Sequence, residues 1–115
     1  MKNRKLLYEC AIHLPEVTEG HHFHLDAFKV LGKAFIVIQN DGEHVILHIG
    51  RPEAESLAKK CPDLYDLVWR NNDIFVGIRA ALSSLTGKQL QTLVYSAWAH
   101  KAPKSLVAPT KIRKT

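Results

Sequence analysis

Three histidines within four residues, His21, His22 and His24, form the densest set of metal-capable side chains in the chain. Imidazole nitrogen suits zinc or copper, and Glu19 and Asp26 are the nearest acids that could complete a ligand set. Metal-ligand motifs space their donors so that they converge, whereas His21 and His22 are adjacent. The three histidines therefore read as a polar ligand-facing loop with no resident metal. A second group mixes cations with aromatic rings. Lys29, Phe35, Phe75 and Arg79 fall in strand-like segments, and on one open sheet face they would supply rings to stack bases and cations to hold phosphates. A third group lies at the ends. Lys2, Arg4 and Lys5 crowd the start, and Lys101, Lys104, Lys111, Arg113 and Lys114 fill the last fifteen residues without a single acid. Such clusters attract phosphate without regard to base sequence.

The balance of charge sharpens that reading. The chain carries a formal charge of +5, yet its first hundred residues hold 11 basic and 11 acidic side chains. Its basicity is therefore terminal, not a broad surface patch. Enzymatic signatures are absent from the sequence. It has no Walker loop, no Gly-rich dinucleotide turn, no Gly-x-Ser-x-Gly elbow and no His-Glu-x-x-His. Cys10 and Cys61 lack the Cys-x-x-Cys spacing of redox or zinc motifs and read as reduced thiols. The longest apolar run, Ala34 to Ile38, is far short of the ~20 residues that span a bilayer. No cofactor, no membrane and a cytoplasmic location are the expectations.

These residues must be positioned by a small set of elements. Leu6, Leu7, Cys10, Ala11 and Leu14 recur at helical spacing, so Asn3 to Leu14 reads as a first helix stopped by Pro15. Glu16 to Asp26 reads as a polar loop. Strands are predicted over Ala27–Val30, Ala34–Gln39 and His44–Ile49, with Asp41-Gly42 as a hairpin signal. Val45, Leu47 and Ile49 alternate with His44, Ile46 and His48 across the two faces of the third. Pro52 and Glu53 suit the start of a second helix that closes before Pro62. Asp63 to Asn72 reads as a helical turn and loop, followed by a fourth strand at Ile74–Ile78. Thr86-x-x-Gln89 has the form of a capping box, and Leu90, Leu93, Val94, Ala97 and Trp98 give the apolar stripe of a third helix. The fold class is α+β in the order α-β-β-β-α-β-α. It should form two layers, with an antiparallel sheet carrying its helices on one face. Residues 1–102 should form the domain and residues 103–115 a basic, flexible tail.

Leu14-Pro15-Glu16-Val17-Thr18-Glu19-Gly20, Phe23-His24, Ala27-Phe28-Lys29-Val30, Gly32-Lys33 and Phe35 together resemble the MmcQ/YjbR family. Ala97-Trp98-Ala99-His100-Lys101-Ala102-Pro103-Lys104-Ser105-Leu106 is similar to the C-terminal signature of one branch of it. The resemblance implies a fold like that of frataxin and CyaY. It also implies DNA binding and brings no catalytic residue set. The family's Asn-Lys element is Asn71-Asn72 here, with the following aromatic at Phe75. Frataxin-type iron sites need an acidic helix, and the first helix here carries only Glu9. The expectation is a non-enzymatic nucleic-acid-binding protein, a monomer or weak homodimer, whose partner is DNA or a single strand. The alternative is a module that binds a small molecule or protein through the open sheet face and the histidine loop.

Overall fold

The computed structural model describes residues 2–107 of the 115-residue chain. Helix α1, Lys2–Ile12, buries Leu7 and Ala11 and ends three residues before Pro15. A meander of four strands follows: β1 Val17–His22, β2 Leu25–Val30, β3 Lys33–Ile38 and β4 His44–Leu47. Helix α2, Arg51–Lys60, then leads to β5 Asp66–Arg70 and β6 Ile74–Ala81. A single 3-10 turn at Leu82–Ser84 precedes helix α3, Gly87–Lys101. The six strands form one sheet in the order β1-β2-β3-β4-β6-β5, and every ladder is antiparallel.

Local chemistry explains the joints. Three turns place two successive residues at positive φ, two of them in two-residue loops and the third in the three-residue loop 71–73, a geometry that matches the right-handed twist of the flanking strands. They are Phe23-His24 (50° and 72°), Leu31-Gly32 (48° and 83°) and Asn71-Asn72 (54° and 66°). The capping box of α3 forms as the sequence suggests. Gln89 donates its backbone N–H to Thr86 Oγ1 at 3.1 Å, and Thr86 donates its own to Gln89 Oε1 at 2.9 Å. Gly77 is required by crowding, because a Cβ there would lie 2.1 Å from the Leu47 carbonyl oxygen.

Register fixes which side of the sheet is covered. Ile36 faces Leu47, Ile38 faces Val45, and Leu47 and Val45 face Ile78 and Ala80 across β6. These residues form one core with Leu7 and Ala11 of α1, Ala54 of α2 and Leu90, Leu93, Val94, Ala97 and Trp98 of α3. All three helices thus pack on one face, giving the two-layer α+β architecture. Trp98 is fully buried, and its indole N–H donates to the Pro15 carbonyl at 3.0 Å, tying α3 to the chain that leaves α1.

Several expectations are corrected. The stretch read as a polar loop contains β1, an edge strand whose only large aliphatic residue is Val17. The Asp63–Asn72 stretch contains β5, a five-residue edge strand that pairs only with β6, where Val76 is an extra residue opposite the Val68–Trp69 step. The first helix stops at Ile12, short of Leu14. Phe35 does not lie on the open face. Between β2 and β3, Phe28 faces Ile36 and Lys29 faces Ala34, so Phe35 is an extra residue and enters the core beside Ile36. Phe75 is likewise not on the open face. It packs against the core and meets the Trp69 ring edge-on at 5.2 Å, with the Arg51 guanidinium of α2 over that indole at 4.9 Å. The boundary at residue 102 also falls short. Leu106 and Val107 turn back on Pro103 through their N–H groups and pack against the core, so the packed body reaches Val107.

Candidate functional site

The basic start of the chain and the histidine-bearing hairpin, far apart in sequence, border one cleft. Leu7 and Ala11 bury the inner face of α1, which leaves Arg4, Lys5 and Tyr8 along its flank. On β1 and β2, the pairing of His21 with Asp26 and of Glu19 with Phe28 turns these residues toward the same helix. The cleft has a volume of about 560 Å³, and Arg4 and Lys5 line it together with Glu19 and Asp26, beside Tyr8, His21 and Phe28. Arg4 Nη2 lies 3.1 Å from Asp26 Oδ2, and His21 Nε2 lies 3.4 Å from Asp26 Oδ1. One carboxylate therefore serves two partners. All three side chains are substantially exposed, and ion pairs of this kind contribute only about 0–1 kcal/mol, so an arriving anion can replace Asp26 at small cost. Lys5 is exposed and forms no salt bridge among the described residues. The first turn of α1 holds no acid, so its positive dipole end adds to both cations. Tyr8 is 42% exposed and its ring stands 6.2 Å from that of Phe28.

The hairpin tip beyond the cleft is unusual in two respects. Phe23 is 79% exposed, the most exposed large apolar residue among the described residues. It and His24 also occupy the left-handed region, which Asn and Gly fill easily and a phenylalanine fills at a cost of roughly 1–2 kcal/mol. The His22 ring meets Phe23 edge-on at 4.5 Å. A strained turn that displays an aromatic ring to solvent is a common mark of a recognition tip.

The remaining predicted residues are dispersed. His22 alternates with His21 and so lies on the opposite face, while His24 belongs to the turn. Among the described residues no group of three His, Cys, Asp or Glu side chains could hold a metal ion. Lys29 does lie on the face away from the helices, its side chain laid over Gly20 with Cε 3.4 Å from where a Cβ would stand. Arg79 belongs to the same face, in the row Gly20, Ala27, Val37, Ile46, Arg79 and Asp66. Its guanidinium is bound to Asp66 at 3.0 Å, and Ala27 and Val37 in that row are each only 3% exposed. This face is thus partly closed and partly neutralised. Lys101 ends α3 half-buried and Lys104 is exposed, whereas Lys111, Arg113 and Lys114 lie outside the described residues.

Two further histidines have perturbed settings. Burial, and then the positive charge of Lys101, pushes His48 down to about 4. His100 is lowered as well, again chiefly by burial. Asp41 accepts the backbone N–H groups of Glu43 and His44 at 2.9 Å each, which pulls its carboxyl down to about 2. The Cys10 thiol is raised by burial and by Glu9, the opposite of an activated nucleophile.

Sequence reasoning marked Arg4, Lys5 and His21 but left Tyr8 and Phe23 without a role. Tyr8 follows Arg4 by one helical turn, a spacing that places the pair on one flank. Phe23 has no sequence signal as a turn residue, since the type of turn it occupies is normally announced by Asn or Gly. No helix among the described residues is long and apolar enough to cross a membrane. Comparison with protein-family models, with curated proteins and with solved structures finds no match.

Proposed function

We propose that this chain is a non-enzymatic binding protein for single-stranded nucleic acid, gripping it between α1 and the β1–β2 hairpin. The observation that carries the reading is the convergence of Arg4, Lys5 and Tyr8 with His21 around one open cleft beside the exposed Phe23 ring. Phosphate would take the place of Asp26 at Arg4 and bind Lys5, while bases stack on Tyr8 and Phe23. Stacking on such rings contributes about 1–3 kcal/mol per base and tolerates any base sequence. Lys29 and Lys104, both outside the cleft, would add salt-sensitive attraction. The resemblance to the MmcQ/YjbR family, with the DNA binding it implies, points the same way.

Amide chemical-shift mapping tests this. Titration with a thymidine oligonucleotide of about ten nucleotides should move resonances of residues 4–8 and 20–26 first. Shifts confined to the face bearing Lys29 and Arg79 would move the site to that face. No shift at low salt would dismiss nucleic acid as the ligand.

A further inference from the structure

A second recess lies between α2 and the first half of α3. Its volume is about 330 Å³, at the small end of the roughly 300–1,000 Å³ typical of ligand pockets. Leu57, Tyr65 and Leu93 give it apolar walls, and Lys60 and Lys88 stand at its rim with Glu53. Leu93 and Tyr65 are firmly held, at 2% and 4% exposure, so the walls exist before any ligand arrives. Tyr65 is anchored through its N–H to the Cys61 carbonyl at 3.1 Å, yet its hydroxyl makes no hydrogen bond among the described residues. Lys60 and Lys88 are exposed and take part in no salt bridge among the described residues.

Charge complementarity narrows the occupant. Two lysines and one glutamate leave the lining with a net charge of +1. One negative group is attracted, and a second would meet Glu53. Of the neutral polar side chains in the lining, Thr86 and Gln89 are engaged with each other in the capping box, and Thr92 is the third, so a largely hydrocarbon remainder suits the recess better than a polar chain, which would surrender most of its hydration there. We propose that the α2–α3 recess binds a small apolar monocarboxylate, its tail against Leu57 and Leu93 and its carboxylate between Lys60 and Lys88. The Tyr65 hydroxyl is available to donate a third hydrogen bond to the same carboxylate. The site is separate from the α1–hairpin cleft, and neither proposal depends on the other.

Sodium octanoate is a suitable probe, followed by amide chemical shifts of the full chain. Binding should move resonances of residues 57–61, 65 and 86–93 while leaving residues 4–8 and 20–26 in place. The double substitution Lys60→Gln/Lys88→Gln removes two exposed charge contacts and should weaken octanoate about fivefold. Octanol and octylamine, with the same tail, should each bind more weakly than octanoate to the unaltered protein. The proposal fails if octanol binds as tightly as octanoate, if the double variant retains full affinity, or if millimolar octanoate moves nothing in the recess.

Discussion

Acidification should destabilise this protein through His48 before its exposed acids titrate. In the unfolded chain this imidazole takes a proton near its ordinary 6.5, whereas in the fold burial and the charge of Lys101 delay protonation to about 4. A small contribution from the Ala34 backbone opposes the shift without reversing it. Between these two values the unfolded chain binds a proton that the folded chain refuses. Stability therefore falls as pH drops from about 6.5 to 4, and the group contributes nothing above that window. A difference of 2.5 pH units at 1.36 kcal/mol each gives a loss of about 3 kcal/mol. His100, also lowered, acts in the same direction. Urea denaturation at pH 7 and at pH 4.5, on the natural protein and on His48→Gln, isolates the effect. The natural protein should lose about 2–3 kcal/mol more than the variant over that interval. Equal losses would show that His48 is protonated in the fold and refute the reasoning.

Three other perturbations have defined outcomes. Gly77→Ala places a methyl group 2.1 Å from the Leu47 carbonyl oxygen and should cost about 3 kcal/mol or more, read as a thermal midpoint lowered by at least ~10 °C. A midpoint within two or three degrees of the natural protein would mean that β4 and β6 are less tightly apposed. Thr86→Ala removes the acceptor for the Gln89 N–H and should cost about 1 kcal/mol in urea denaturation, with the core intact by near-ultraviolet dichroism. Phe23→Gly releases a left-handed residue that buries almost nothing, so stability should rise by roughly 0.5–1 kcal/mol while oligonucleotide affinity falls. A variant that is less stable, or that binds equally well, would remove the tip from the site.

The fold was legible wherever one face of an element is apolar. The stripe Leu90, Leu93, Val94, Ala97 and Trp98 defines α3, and Val45 and Leu47 point inward as their alternation requires. The edges were not legible. β1 reads Val-Thr-Glu-Gly-His-His because it borders solvent, so it carries almost no hydrophobic period. Face parity failed at Phe35 and Phe75 for a different reason. Phe35 is itself the extra residue of a bulge and Phe75 lies next to one, and a single extra residue reverses the alternation of its own strand from that point on. Of the site, the charges were visible, but their union with the hairpin was not. Arg4 meets Asp26 across 22 residues of chain, a contact that depends on how α1 docks and on no local pattern.

The salt dependence of oligonucleotide binding tests the central claim most directly. Fluorescence anisotropy of a labelled thymidine oligonucleotide, measured at several ionic strengths, yields the number of phosphates the protein engages. If Arg4 and Lys5 each hold one phosphate, Arg4→Ala/Lys5→Ala should lower the slope of log affinity against log salt by about 1.4, since each single-strand contact contributes ~0.7. The substitutions lie on the exposed flank of α1 and leave Leu7 and Ala11 in the core. A slope unchanged in the double variant, with affinity equal to that of the natural protein, would contradict the assignment of nucleic-acid binding to the α1–hairpin cleft.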